Sequence, residues 1–226
     1  YKVSTAGGKP KKLTSGPRLE TYPAAMASDD QVAILVAGPD LPQSVGLISS
    51  NGGEARVITE IPDRFPSARH ISPTNVTLNA DDGLEFYNEL FLPPDLKPGE
   101  KRPALIFIHG GSRRQMLLGY HYMHFYHMAY AMNQYFANKG YVVLSVNYRS
   151  GSGYGKEFRE TPGVGRRGNM EYKDILAAGL YLQGREDVDT ERVGLWGLSY
   201  GGILTAQGLA RNSDVFAAGV DIAGVN

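Results

Sequence analysis

The segment Val193-Gly-Leu-Trp-Gly-Leu-Ser-Tyr-Gly-Gly202 decides the fold class. It begins as a short apolar strand, and the residues that follow it have the composition of a helix. Between them, Gly197-Leu-Ser-Tyr-Gly201 matches the G-x-S-x-G pattern, in which a sharp strand-to-helix turn lifts a serine hydroxyl above a sheet. We interpret Ser199 as a candidate nucleophile and Gly197 and Gly201 as the small residues that form its elbow. The alternative is a plain tight turn.

Strands and helices alternate on both sides of this turn. Apolar runs predict buried strands at Ala104–Ile108, Tyr141–Val146, Val193–Trp196 and Phe216–Ile222. Helical patterns separate these strands at Phe125–Asn138, Met170–Leu182 and Tyr200–Leu209. A hairpin is predicted before them, with strands at 76–78 and 84–92 around Asp81-Asp82-Gly83. Four strands alternating with three helices are typical of a parallel sheet with helices on its faces, so the predicted fold class is α/β.

The first 70 residues contain a repeat. Val3–Thr14 aligns with Ile48–Thr59 at an offset of 45 residues, with 4 of 12 positions identical. Each copy predicts a strand, a Gly-Gly turn and a second strand, and a period in the forties is the size of one propeller blade. We predict the end of a β-propeller at 1–70, a proline-containing linker at 60–75, and part of an α/β domain at 71–226. The alternative is a pair of similar hairpins in some other antiparallel sheet.

Composition excludes several classes of protein. The 226 residues are 42% apolar and 20% charged, with 23 basic and 23 acidic side chains, so disorder, a collagen-like chain and a nucleic-acid-binding tail are excluded. The absence of cysteine excludes a disulfide scaffold and a thiolate metal site but leaves the compartment open. No apolar run is long enough to predict a membrane span. His121, His124 and His127 are interpreted as part of an aromatic helix rather than as metal ligands, because no carboxylate accompanies them.

A second glycine-rich turn, His109-Gly110-Gly111, follows the predicted strand Ala104–Ile108. In hydrolases with a nucleophile elbow, a turn at this place offers one backbone N–H to the oxyanion, and the residue after the nucleophile offers the other. Gly111 and Tyr200 are therefore the candidate donors. His109 is expected only to shape the turn; the alternative is that this turn merely ends a strand.

Three segments together carry a resemblance to a known family: His109-Gly-Gly111, Asn147-Tyr-Arg-Ser-Gly-Ser-Gly-Tyr-Gly155 and Gly194-Leu-Trp-Gly-Leu-Ser-Tyr-Gly-Gly202. The chain resembles the prolyl oligopeptidase family of serine peptidases, which includes dipeptidyl and acylaminoacyl peptidases. The resemblance is specific over 75–226 and weaker over 1–70. It implies an α/β-hydrolase fold preceded by a propeller and hydrolysis of short peptides through an acyl-enzyme. No metal or organic cofactor is implied.

The resemblance also bears on the loops. Ser112 stands where many relatives have proline, and Ser150 where many have glycine, so the loops at the site are expected to differ in detail. Arg149 and Tyr154 are interpreted as residues that fix the 147–155 loop, with contact to substrate as the alternative. Carboxylester hydrolysis and a non-catalytic, propeller-bearing binding protein are the alternative functions.

The order of residues predicts an incomplete catalytic triad. In α/β-hydrolases the nucleophile is followed by an acid and then by a histidine. All five histidines precede Ser199. Of the acids that follow it, Asp221 lies within the last predicted strand, too early for the triad acid, and Asp214 is interpreted as capping a turn with Asn212. We therefore expect a fragment that is inactive alone, from a parent that continues beyond Asn226 and supplies both groups.

Overall fold

The computed structural model describes residues 1–25, 30–165 and 167–225. The chain divides into two compact units. The first contains Tyr1–Ser72 and Leu117–Tyr130, and the second contains Pro73–Met116 and Ala131–Asn226.

The first unit is built on a four-stranded antiparallel sheet. Its strands lie side by side in chain order: β1 (Leu19–Ala25), β2 (Gln31–Ala37), β3 (Ser44–Ser49) and β4 (Arg56–Val57). Apolar side chains at alternate positions of β2, Ile34 and Val36, point to one face and are buried with Leu41 and Ile48. A four-stranded meander is the unit from which one propeller blade is made.

The two copies of the repeat have different structures. The second forms part of the β3–β4 hairpin, in which Gly46 pairs with Val57 and Leu47 with Arg56. The first, which lies wholly within the described residues, contains no strand: Lys2, just before it, forms an isolated bridge with Lys11, so the two strands predicted for Val3–Thr14 are wrong. The copies meet where the Gly53 N–H donates to the Leu13 carbonyl, at 3.0 Å.

The second unit contains a six-stranded mixed sheet. Its strands are β5 (Thr74–Asn79), β6 (Glu85–Phe91), β7 (Arg102–Ile108), β8 (Val142–Asn147), β9 (Val188–Leu198) and β10 (Ala218–Ile222). Their spatial order is β10-β9-β7-β8-β6-β5. β7 to β10 run parallel, whereas β5 and β6 form an antiparallel hairpin at one edge. The α/β fold class predicted from the alternation is confirmed.

Helices separate the parallel strands. They are α1 (His124–Asn138), the short α2 (Lys156–Arg159), α3 (Glu171–Gln183) and α4 (Tyr200–Arg211). The main core of the second unit contains Ile106, Leu144 and Leu195 from the central strands and Ile175 and Leu204 from α3 and α4. Each such side chain stabilises the fold by about 1.5–3 kcal/mol on burial.

The histidine-rich segment is aromatic, as predicted, but it is only partly helical. α1 begins at His124, so His121 precedes the helix instead of sharing a face with His124 and His127. The His121 ring stacks on Tyr122 with centroids 4.2 Å apart. Within the described ranges, no group of three acidic or histidine side chains could hold a metal ion. No helix in the same ranges combines the length and the apolar character that crossing a bilayer requires.

Candidate active site

Three loops leave adjacent parallel strands at one edge of the sheet. Ile108 at the end of β7 is paired with Gly197 of β9 on one side and with Val146 of β8 on the other. The residues that follow these three positions therefore emerge side by side. The carboxyl edge of a parallel sheet is where ligands bind in open α/β folds. The segments 109–111, 147–155 and 198–200, which the sequence singled out separately, thus come together.

Ser199 lies in a strained turn between β9 and α4. Its φ and ψ are 58° and −115°, a combination that few residues other than glycine adopt. The Ser199 N–H donates to the Ile222 carbonyl at 2.9 Å, and the Ser199 carbonyl accepts the Gly202 N–H, also at 2.9 Å. Serine at a helix N-cap normally uses its hydroxyl to bind a backbone N–H of the first turn. Ser199 makes no such bond, so its half-buried hydroxyl is not engaged in capping α4.

The glycines of the elbow are required by close backbone contacts. A Cβ on Gly201 would overlap the Ile108 carbonyl oxygen and lie 2.8 Å from the His109 carbonyl oxygen. A Cβ on Gly197 would lie 2.5 Å from the Gly201 carbonyl oxygen. The start of α4 therefore packs directly on the end of β7, which places the candidate nucleophile next to the 109–111 turn.

Replacing Gly201 with alanine is expected to lower the free energy of unfolding by about 3 kcal/mol, because the added methyl group meets rigid backbone. Gly184→Ala is the matched control, since its Cβ would lie 3.4 Å from the nearest atom, the Leu180 carbonyl oxygen. Urea unfolding of both variants measures the difference. Equal stability of the two variants would contradict the close packing of the elbow.

The two candidate oxyanion donors, Gly111 and Tyr200, lie on either side of the contact between the end of β7 and the start of α4. Tyr200 is the first residue of α4, where a backbone N–H has no acceptor within the helix. Gly111 is exposed and has a φ of +44°, in the left-handed region that favours glycine. The positive end of α4 also favours negative charge that develops at Ser199.

Aromatic rings pack behind both donors. The ring of Tyr148 stacks on that of His109, with centroids 4.3 Å apart and planes at 17°. The Tyr148 hydroxyl donates to the His109 carbonyl at 2.8 Å. On the other side, the Tyr148 and Tyr200 rings are 6.2 Å apart and nearly parallel. His109 is fully buried, and its Nδ1 lies 3.1 Å from the Gly110 carbonyl oxygen.

Glu171 is a functional candidate that sequence reasoning missed. This buried side chain at the start of α3 accepts hydrogen bonds from the Tyr200 hydroxyl at 2.9 Å and from the Gly165 N–H at 2.8 Å. Burial, followed by the hydrogen bond to Glu171, raises the pKa of Tyr200 above its ordinary value. An acid at the start of a helix normally indicates only a favourable interaction with the helix dipole. No signal in the sequence therefore indicated that Glu171 contacts the Tyr200 hydroxyl.

Arg149 anchors the 147–155 loop through two carboxylates. Its fully buried guanidinium binds Asp174 of α3, with Nη2 to Oδ1 at 2.6 Å, and Asp82 of the β5–β6 turn, with Nη1 to Oδ2 at 2.6 Å. The hydrogen bonds from Arg149 hold the pKa of Asp82 well below its ordinary value. Burial raises the pKa of Asp174 to about 6, although the bonds from Arg149 act in the opposite direction. The interpretation of Arg149 as a loop-fixing residue is confirmed.

The rest of the loop is packed as well. The Tyr154 ring stacks on Tyr87 of β6, with centroids 4.4 Å apart. Ser150 has a φ of +71°, which explains why glycine suits this position in the resembled family. Its N–H donates to the Phe158 carbonyl at 3.0 Å, which closes the loop onto α2.

Comparison with known proteins agrees with this geometry. Residues 126–226 match the prolyl oligopeptidase family. Dipeptidyl peptidase 8 of Homo sapiens is 31% identical over 156 residues, which are 69% of this chain and 17% of that protein. The acylaminoacyl peptidase of Pyrococcus horikoshii superposes with a TM-score of 0.75 at 28% identity, over 95% of this chain and 32% of the solved one.

A puromycin-hydrolyzing peptidase of Mycobacterium tuberculosis has a TM-score of 0.74 and 27% identity, over 87% of this chain and 30% of that one. The chain therefore spans about a sixth to a third of the length of these relatives. The family match, the relatives and the elbow lead to one assignment: the chain belongs to the prolyl oligopeptidase family.

Proposed function

We propose that the full-length protein is a serine peptidase that hydrolyses short peptides through an acyl-enzyme on Ser199. The observation that carries this proposal is the strained turn at Ser199, whose hydroxyl does not cap α4 and whose flanking glycines pack against the end of β7, where the 109–111 turn begins. Both features serve the attack of a hydroxyl on a carbonyl carbon.

In the proposed mechanism, the Ser199 oxygen attacks the scissile carbonyl while a histidine accepts the hydroxyl proton. The N–H groups of Gly111 and Tyr200 donate to the oxyanion, and each such donor contributes about 10²- to 10³-fold to turnover. The protonated histidine then gives its proton to the leaving amine, and water hydrolyses the acyl-enzyme. Neither the histidine nor the acid is assigned to this chain, because all five histidines precede Ser199.

The related proteins support a peptide substrate. Their names refer to dipeptidyl peptidase, acylaminoacyl peptidase and puromycin-hydrolyzing peptidase activities. The proposal therefore specifies cleavage at a peptide carbonyl and does not specify exopeptidase or endopeptidase action.

Labelling and turnover together test the proposal. A fluorophosphonate probe should modify Ser199 of the full-length protein, and peptide anilides should be hydrolysed. Turnover of simple esters without any turnover of peptide anilides would favour a carboxylesterase. Absence of both labelling and turnover would favour a non-catalytic binding protein.

We further propose that the β1–β4 meander is one blade of a propeller that restricts access to the site. The blade-length repeat and the four-stranded sheet support this assignment. Peptides under about ten residues should then be cleaved at least about tenfold faster than a casein-sized protein, because an enclosed site excludes bulk. A series of substrates of increasing length measures this, and equal rates across the series would contradict the proposal.

A further inference from the structure

Tyr148 contacts both sides of the candidate oxyanion site. Its hydroxyl donates to the His109 carbonyl at 2.8 Å, immediately before Gly110 and Gly111. Its fully buried ring lies within stacking distance of His109 and of Tyr200, the residue that follows the candidate nucleophile. A carbonyl held by a hydrogen bond fixes the peptide plane that it shares with the next N–H, here that of Gly110, the residue that directly precedes the candidate donor Gly111. The orientation of the 109–111 turn is therefore coupled to the position of Tyr148.

Tyr148 is itself held by α3. The N–H of its neighbour Arg149 donates to Asp174 Oδ2 at 2.6 Å, and the Arg149 guanidinium binds the same carboxylate. One turn earlier on α3, Glu171 accepts the Tyr200 hydroxyl. Residues three apart lie on one face of a helix, so one buried face of α3 holds the supports of both donors. Glu171 and Asp174 can support the two candidate donors in this way without touching a substrate.

We propose that Tyr148 is a positioning residue for the oxyanion site, acting through the His109 carbonyl to set the direction of the Gly111 N–H relative to the Tyr200 N–H. This inference rests on the proposed serine peptidase function. Tyr148 does not donate to the oxyanion and does not transfer a proton. Tyr148 affects only the directions of the two backbone N–H groups, which are used when the tetrahedral oxyanion forms. Its removal should therefore change kcat rather than substrate binding.

The test is the Tyr148→Phe variant of the full-length protein, which keeps the ring and removes only the donor. We expect kcat for a peptide anilide to fall about 10- to 100-fold while KM changes less than about twofold. A peptide boronic acid, which forms a tetrahedral adduct with serine, should bind more weakly by a similar factor, whereas a product peptide should bind as before. Tyr181→Phe is the matched control, because its hydroxyl contacts Arg185 near the end of α3 and should leave both constants unchanged.

The outcomes separate this inference from the proposed function. If the wild-type protein neither labels nor turns over, the proposed function fails. If it does both and Tyr148→Phe retains wild-type kcat and boronic acid affinity, only the positioning role is overturned. An increase in KM at unchanged kcat also overturns it, since that result would place Tyr148 in substrate binding.

If Tyr148→Phe does not fold, a fluorinated tyrosine at position 148 gives the second measurement. It keeps the ring and the hydroxyl but makes the hydroxyl a stronger donor to His109. A changed kcat at constant KM supports the positioning role, and unchanged kinetics overturn it.

Discussion

Ser199→Ala is expected to reduce peptide-anilide hydrolysis by the full-length protein about a million-fold, the cost typical of removing a catalytic serine. The variant should fold normally, because the Ser199 hydroxyl does not cap α4 and the turn is held by backbone hydrogen bonds to Ile222 and Gly202. Turnover under saturating substrate, together with loss of fluorophosphonate labelling, measures the effect. Circular dichroism and urea unfolding establish that the fold is kept.

Ser213→Ala is the matched control for this substitution. Ser213 is exposed beyond the end of α4 and has no role in the proposed mechanism, so its removal should change neither labelling nor turnover. Wild-type turnover by purified Ser199→Ala would contradict the assignment of the nucleophile. A parallel loss in both variants would point to a general effect on the fold.

The elbow could be predicted because its signal is local. Gly197, Ser199 and Gly201 lie within five residues, and the apolar strand before them and the helix after them confirm the context in which the pattern has meaning. The parallel strands were predicted for a similar reason, since runs buried on both faces are continuously apolar. β9 begins earlier than predicted, because the buried Val188 pairs with Arg102 of β7. The exposed polar residues between Val188 and Val193 lie where the register of this pairing shifts.

The support of the site could not be predicted from a single sequence. Asp82 lies 67 residues before Arg149, and Asp174 lies 25 residues after it. Locally, Asp82 belongs to the predicted hairpin turn, and Asp174 lies within the predicted helix Met170–Leu182. Nothing in local spacing shows that the sheet order brings both carboxylates to one guanidinium. Pairing between buried charges that are far apart in the sequence can be predicted only when the strand order is known.

The same reasoning applies to Glu171 and Tyr148. Their partners, Tyr200 and His109, lie 29 and 39 residues away in the sequence. The sequence placed the two candidate donors just after two predicted strands, and these strands are neighbours in the sheet. The groups that contact the donor segments come from a helix and a loop between them. We infer that motif-based prediction finds the candidate reacting groups of such a site and misses the residues that hold them.

Arg149→Met is expected to lower the free energy of unfolding by about 3–5 kcal/mol, because it leaves the fully buried Asp174 carboxylate without its cation. Methionine roughly preserves the buried volume, so the loss reports charge rather than packing. Arg192→Met is the matched control. Its ion pair with Asp189 lies at the surface, where such pairs contribute at most about 1 kcal/mol.

The dependence on pH identifies the cause of this loss. In the wild-type fold, burial already raises the pKa of Asp174 to about 6, and removal of Arg149 should raise it further, because the remaining shift comes from desolvation. A carboxyl whose pKa is higher in the folded than in the unfolded state binds more protons when folded, so the protein gains stability as the pH falls through the raised value. The stability deficit of Arg149→Met should therefore shrink as the pH falls towards about 6, below which the wild-type protein gains stability from the same proton. Arg149→Met combined with Asp174→Leu should recover part of the deficit at pH 7. Urea unfolding across this range measures both effects.

A deficit that is constant with pH, or that equals the deficit of Arg192→Met, would show that the Arg149 network is not a buried ion pair and that the 147–155 loop is held by its aromatic contacts alone.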